Sequence, residues 1–220
     1  VKFLKVDLHV HTRYSLDSDM PLEDVIRRCQ ELGIDGVAIC DHGTIEGALE
    51  MQRMAPPFMI IIAEEVLTTR GEIMGLFLRE TIPSGLSVAE TVARIREQQG
   101  LILIPHPFDG LRSSAIEDKA LYELVAQGEV DVLEVFNSKT PFHGSSLRAR
   151  KYARDHNLLV SAGSDAHSVH AVGNAYVEMP PFTGRDDFLA ALAQGKIVGR
   201  KTNYFTHVHS LWAKIKSTLR

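Results

Sequence analysis

The chain has 220 residues, 45 % hydrophobic and 24 % charged, an ordinary balance for one soluble domain with a substantial core. A formal net charge of −4 argues against a broad basic surface for gripping nucleic acid, and no apolar stretch approaches the roughly 20 residues needed to span a bilayer. Two cysteines, Cys29 and Cys40, are too few for a disulfide framework and read as buried apolar thiols; with no charged start and apolar h-region at the N-terminus, a reducing cytoplasm is the expected compartment.

Val1 to Val6 reads as a short buried strand running into Asp7-Leu8-His9-Val10-His11-Thr12. Side chains two apart on a strand share a face, so His9 and His11 project together where the chain leaves the core. Two imidazoles on one face pack poorly and ligate a borderline metal ion well, although taken alone the pair fits surface histidines equally. After the polar loop Arg13 to Asp19 comes a helical pattern from Pro21 to Leu32, with Pro near its start and Gly33 past its end. Ile34 to Cys40 is a second apolar run, and it ends in Asp41-His42-Gly43. Ile45 to Met54 forms a short helix stopped by Pro56-Pro57, and Phe58 to Ala63 a strand terminating in Glu64-Glu65. Val66 to Leu78 turns near Arg70-Gly71 and predicts a hairpin.

Further on, Ser87 to Gln98 is helical with Gly100 as its stop, and Leu101 to Ile104 is a buried strand closing on Pro105-His106-Pro107. A helix at Ala120 to Ala126 precedes the strand Val130 to Phe136, which ends at Asn137. The helix His143 to His156 leads to the strand Leu158 to Ala162 and then to Gly163-Ser164-Asp165-Ala166-His167. Ala175 to Met179 and Ile197 to Gly199 are short strands flanking a helix at Arg185 to Ala193, and a terminal helix is expected at about 206–219. Alternating strands and helices imply a mostly parallel sheet covered by helices, and six or seven repeats favour a closed or nearly closed barrel. In such barrels the active site is assembled at the C-terminal ends of the strands, where the ionisable residues fall here.

Those residues are His9, His11, Asp17, His42, Glu65, His106, Asp165 and His167, with Glu72 as a further addition. Five strands each closing on His, Asp or Glu are hard to explain by packing. Mixed imidazole and carboxylate ligation suits Zn, Mn or Fe(II), and the number of groups exceeds what one ion uses. Two or three divalent ions are the economical reading, with Glu65 as bridge because a carboxylate has two oxygens.

The ordered motifs, from Asp7-Leu8-His9-Val10-His11-Thr12 through Asp41-His42, Glu65, His106 and Asp165-Ala166-His167, resemble those of the PHP family, the polymerase and histidinol phosphatase superfamily of metal-dependent phosphoesterases. The resemblance implies an α/β fold, a distorted (β/α)7 TIM-like barrel of seven βα units, as a single catalytic domain over 1–220. It also implies a di- or trinuclear centre on the residues just named and hydrolysis of small phosphomonoesters, such as nucleoside monophosphates or histidinol phosphate, by a metal-bridged hydroxide. Catalytic roles fall to His42, Glu65, Asp165 and Asp41, the last by orienting a ligating histidine.

Three features depart from the family pattern. Glu72 follows Gly71 where many members have His, so a third ion depends on whether Glu72 turns inward. Cys40 stands where Thr is common, with an expected effect on packing. Asp17 and Asp19 both follow the His-x-His pair, and the resemblance favours Asp17. Lys139, Arg112, Arg148 and His143 are candidates for contacting substrate phosphate, each also readable as an ordinary surface residue. His207-Val208-His209 repeats the opening spacing without an accompanying acid and reads as structural.

Competing functions are an exonuclease acting on short oligonucleotides, a non-catalytic metal-binding regulatory module, and a metal-dependent amidohydrolase. An aromatic content of only 7 % and the acidic balance weigh against long nucleic acid. The expected partner is therefore a small phosphorylated substrate, with no membrane.

Overall fold

In the computed structural model, which describes residues 2–141 and 143–201, a single sheet of nine strands wraps most of the way round the molecule. Its elements in chain order are β1 (Leu4–Val10), α1 (Leu22–Leu32), β2 (Gly36–Ile39), α2 (Glu46–Arg53), β3 (Met59–Thr68), β4 (Gly71–Leu76), α3 (Val88–Glu97), β5 (Leu101–Ile104), α4 (Asp118–Ala126), β6 (Val132–Asn137), α5 (His143–Asp155), β7 (Leu159–Gly163), a 3₁₀ turn (Val169–Ala171), β8 (Ala175–Met179), α6 (Arg185–Leu192) and β9 (Lys196–Gly199). The expected terminal helix and the His207/His209 pair lie outside the described residues.

The spatial order is β7-β6-β5-β4-β3-β2-β1-β8-β9. Strands β1, β2 and β3 pair in parallel, as do β5, β6 and β7, while β4 runs antiparallel to both its neighbours. The barrel closes at its upper rim, where the His11 N–H donates to Ala166 O at 3.1 Å and the Asp165 N–H donates to His9 O at 2.8 Å. Lower down β8 pairs antiparallel with Leu4–Val6 of β1. The barrel is distorted at one step, where β4 joins β3 through the expected hairpin at Thr68–Gly71 with no helix between them, and a hairpin reverses strand direction.

The sequence signals that start and stop these elements act as chemistry dictates. Leu22, Val25 and Cys29 bury one stripe of α1, and Gly33 ends it in the left-handed conformation at φ 63°, where glycine carries no Cβ penalty. Ser87 and Glu90 form a reciprocal capping box at the start of α3. Inward-facing Leu8, Ala38, Ile61, Met74, Leu103 and Val132 fill the barrel below the site, and Phe188 of α6, wholly buried, plugs its floor. Layers of Val, Ile and Leu on the outer sheet faces pack under the helices. With this plug beneath it, the polar rim opens in one direction only.

Candidate metal centre

Local irregularity in β1 aims the first ligands. Asp7 pairs with Val37 and Val10 with Ile39, so β1 carries one residue more than β2 across this interval, a bulge that re-aims side chains. Leu8 packs into the barrel core, and yet His9 and His11 both reach the cluster, their Nε2 atoms 3.1 Å apart. The close approach of β7 to β1 depends on Gly163, since a Cβ there would stand 2.2 Å from the Cβ of His9.

The other ends of both imidazoles are already spoken for. His9 Nδ1 lies 3.1 Å from Glu134 Oε1. The Ser15 hydroxyl donates to Asp41 Oδ1 at 3.1 Å and accepts the backbone N–H of His42 at 3.0 Å, so its remaining lone pair accepts Nδ1–H of His11 at 3.0 Å. Asp41 is itself fixed by the backbone N–H and the hydroxyl of Thr12, at 2.6 and 2.8 Å. Asp41 thus reaches His11 through Ser15. With both Nδ1 atoms as donors, the two Nε2 lone pairs face one another, and a proton or a metal cation between them relieves the repulsion.

Carboxylates surround that point. Glu65 Oε2 lies 3.4 Å from His9 Nε2 and 3.3 Å from His11 Nε2, while its Oε1 accepts from His106 Nε2 at 2.7 Å. Asp165 Oδ1 lies 3.7 and 3.6 Å from the same two nitrogens. Glu65 Oε2, Asp165 Oδ1 and His106 Nδ1 are buried and make no hydrogen bond, which is costly for polar atoms without another partner. Burial opposes charge on all these groups. Even so, the carboxylates around His9 (Asp165, Glu134 and Glu65) hold its pKa well above the usual value, whereas burial pushes His11 down to about 3. Against the same burial, His9 and His106 hold Glu65 far below the usual carboxylate range, and His9 and Arg112 do so for Asp165.

Glu65 itself corrects one expectation. Strand β3 does not end at Ala63 but continues to Thr68, rising past the rim as one arm of the hairpin, so Glu65 sits within a strand. Its hairpin partner brings in Glu72, which is buried and turned inward. Glu72 Oε1 lies 3.7 Å from His42 Nδ1 and Oε2 3.4 Å from His106 Nε2, and the hydroxyl of Ser114 donates to it at 2.6 Å. Burial and the adjacent charge of Glu65 push the Glu72 pKa up, so a cation between the two carboxylates is favoured.

At the mouth, Asp17 Oδ2 lies 2.8 Å from His167 Nε2 and 3.6 Å from His42 Nε2, and the His11 ring lies tilted against that of His167, 4.2 Å between centroids. Asp17 is therefore the acid that joins the histidines. Potential ligand atoms fall into overlapping sets, His11-Asp17-His42-His167, His9-Glu65-His106 and His42-Glu65-Glu72, each within 4.8 Å. Cys40 Sγ is that close to His9 and His11, but its thiol donates to Val10 O at 3.5 Å and burial pushes it up to about 12. It behaves as the expected packing residue.

Of the candidate phosphate contacts, two reach the cluster. Arg112 Nη2 donates to Asp165 Oδ2 at 2.6 Å, and Lys139 Nζ lies 3.6 Å from Asp165 Oδ1. They line an open pocket of about 550 Å³ together with Asp109, Leu111, Ser113 and Pro141. Arg148 instead donates to Asp118 and Tyr122 at 2.6 and 2.8 Å and lies over the Phe108 ring. Its long side chain reaches α4 and not the ligands. His143 is exposed at the first residue of α5.

The sequence reading missed Ser15, Glu134 and Asn137. A visible signal existed for Glu134, a lone charge in the otherwise apolar strand Val132 to Phe136. His106 and Asp165 also hold left-handed φ values of 32° and 51°, a conformation that costs non-glycine residues of order 1–3 kcal/mol and gathers at functional sites.

An α/β barrel with a buried, strand-borne cluster of histidines and carboxylates has the donor set of a divalent-metal site. The PHP domain model matches residues 7–69 and the PHP-associated model residues 145–197. Uncharacterized protein MJ0417 of Methanocaldococcus jannaschii is 39 % identical over 176 residues, covering 80 % of this chain and 70 % of that protein. A 5'-3' exoribonuclease of Haemophilus influenzae is 29 % identical over 125 residues, covering 50 % of this chain and 45 % of the relative. Among solved structures, a two-domain protein from Bacteroides vulgatus containing a predicted PHP-like metal-dependent phosphoesterase superposes with TM-score 0.72 at 15 % identity, covering 90 % of this chain and 65 % of that one. The chain belongs to the PHP family.

Proposed function

We propose that the protein hydrolyses small phosphomonoesters, nucleoside monophosphates or histidinol phosphate among them, with two or three divalent ions of the Zn, Mn or Fe type. Hydrolysis of phosphate esters on divalent ions goes with the family. The observation that carries the metal centre is the pair of Nε2 atoms of His9 and His11 facing each other at 3.1 Å, backed by two Nδ1 donors and ringed by unpartnered oxygens of Glu65 and Asp165. The donor set fits borderline ions. His9, His11, Glu65 and Asp165 would hold one ion, Glu65, Glu72 and His106 a second, and Asp17, His42 and His167 a third. Ions in such a site lower the pKa of water towards neutrality and offset charge on phosphoryl oxygens.

The protein's own groups supply the remainder. Arg112 and Lys139 flank Asp165 on the pocket side, so a phosphate entering there exchanges one anionic partner for another. Burial opposes the charge on Arg112, but the charge of Asp165 keeps it fully cationic. The pocket of about 550 Å³ matches a small leaving group within the usual size range of ligand sites.

A second reading, exonuclease action on short oligonucleotides, is favoured by one surface feature. Phe108, two residues beyond His106, makes an edge contact with Tyr152, and Tyr152 stacks on Tyr122, at 5.6 and 5.3 Å between centroids. Arg148, on the same helix as Arg150, Lys151 and Arg154, completes a strip of rings and cations of the kind that carries single strands. Phosphate release from a panel of phosphomonoesters and short oligonucleotides, after chelation and re-addition of each metal, tests both readings. Release from monoesters is expected. Release only from oligonucleotides would establish the second reading, and no release with any metal would end the enzyme assignment.

A further inference from the structure

Glu134 and Asn137 are absent from the ligand set, yet three ligands depend on them. Strand β6 carries a bulge: Glu134 pairs with Ser161 and Phe136 with Ala162, leaving Val135 as the extra residue. Side chains three apart leave a regular strand on opposite faces. Here they meet, with Asn137 Nδ2 donating to Glu134 Oε2 at 2.9 Å. Glu134 Oε2 also accepts the backbone N–H of His106 at 2.7 Å, and its Oε1 faces Nδ1 of His9 at 3.1 Å. Asn137 Nδ2 donates in addition to Asp165 Oδ2 at 3.0 Å. The backbone N–H groups of Lys139 and Thr140 donate to Asn137 Oδ1 at 2.9 and 3.1 Å, which fixes the amide so that its donor side faces the carboxylates. Gly163 leaves the space, since a Cβ there would lie 2.9 Å from Glu134 Oε1.

We propose that Glu134, held by Asn137, is the positioning residue of the centre, setting the Nδ1–H tautomer of His9 and clamping the left-handed turn at His106 so that both present ligand atoms inward. An ionised carboxylate can only accept, so His9 must carry its proton on Nδ1 and turn the Nε2 lone pair to the cluster. Partners of this kind typically govern metal affinity by 10–100-fold. The proposal rests on the metal-centre reading.

Glu134→Gln keeps size and removes charge. Its amide oxygen suits the two donors near Oε2, which turns an N–H₂ towards His9 and asks for the opposite tautomer. The expected result is a His9 that changes to Nε2–H in the long-range ¹H–¹⁵N imidazole spectrum of the metal-free protein, recorded at a pH high enough for His9 to be neutral. Zn(II) affinity, measured by chelator competition, should fall about 10–100-fold. An unchanged His9 tautomer, or a Zn(II) affinity within about twofold of the parent, overturns the proposal, and a lowered Tm with an unaltered imidazole spectrum would mark Glu134 as merely structural. Asn137→Ala keeps the test open should that variant fail to fold: Zn(II) binding about 3–10-fold weaker is expected from the lost hydrogen bonds to Glu134 and Asp165, and unchanged binding overturns the clamp. If the parent takes up no Zn(II), the metal-centre reading fails, while the tautomer measurement still judges Glu134.

Discussion

The inner and outer parts of the cluster are built differently. His9, His11, Glu65 and Asp165 are at most 1 % exposed, and His106 and Glu72 only 3 and 4 %; all six sit on strands or within two residues of a strand end. The side chains of His167, His42 and Asp17 are 13, 27 and 50 % exposed, and Asp17 comes from the long loop between β1 and α1. The inner groups have lost their water and are oriented by hydrogen bonds to Glu134, Ser15 and Asn137. The outer groups are oriented mainly by each other. Preorganised, dry ligands favour tight binding and strong electrostatic action, whereas ligands at a solvated mouth favour exchange of an ion or access of substrate.

The comparison breaks most sharply at Glu65, the residue common to the His9 and Glu72 sets. Glu65→Gln removes the charge that offsets three histidines. A loss of about 10³-fold or more in turnover is expected if electrostatic stabilisation dominates, together with loss of inner metal measured by elemental analysis. Retention of both metal and turnover would mean that Glu65 is no bridge.

Next in size is the outer set. Asp17→Asn should lower activity by about 10–100-fold and remove one ion per chain while leaving the others bound. If elemental analysis instead finds the whole cluster emptied, the two parts act as one unit and the distinction drawn from burial is wrong. At the pocket edge, Arg112→Met should raise KM for a phosphomonoester by about tenfold, with a smaller change in kcat, as expected when a charge-assisted hydrogen bond is lost. Steady-state kinetics checks the split; a fall in kcat with unchanged KM would assign Arg112 to support of Asp165 alone.

The inner part was largely legible in the sequence because its ligands follow rules of strand periodicity and strand ends: His9 and His11 at i and i+2, His106 and Asp165 just beyond apolar runs. Glu72 was legible as a residue but not as a contact, since its inward turn depends on the hairpin register that pairs Glu65 with Met74 and Leu67 with Glu72. The bulges in β1 and β6 left no pattern to read. They break the period-two rule that sequence reading relies on, and this is why Glu134 and Asn137 do not stand out; Glu65 reads as a strand end because β3 continues past the rim into the hairpin. Antiparallel β4 was legible as a hairpin arm because a turn at Arg70-Gly71 splits one long apolar run.

The smallest expected effect compares two neighbours on one strand. Glu64 and Glu65 are both fully buried but point to opposite faces of β3. Glu65 lies among histidines, whereas Glu64 accepts only the backbone N–H of Ile82, at 2.8 Å, and its Oε1 has no partner. Burial pushes Glu64 up from 4.5 to about 7. Its folded pKa lies above its unfolded one, so the folded chain binds more protons across this window and stability falls as pH rises from about 4.5 through 7. Glu64→Gln removes the buried charge but leaves an amide N–H₂ without a partner, which offsets part of the gain. The variant should melt about 3–6 °C above the parent at pH 8, equivalent to about 1–2 kcal/mol, with the difference vanishing or reversing near pH 4.5. Calorimetry of both metal-free proteins at the two pH values measures this. An equal Tm difference at both would show that Glu64 does not change protonation on folding, and that burial alone, without the histidines found on the opposite face, is not enough to shift a carboxylate in this strand.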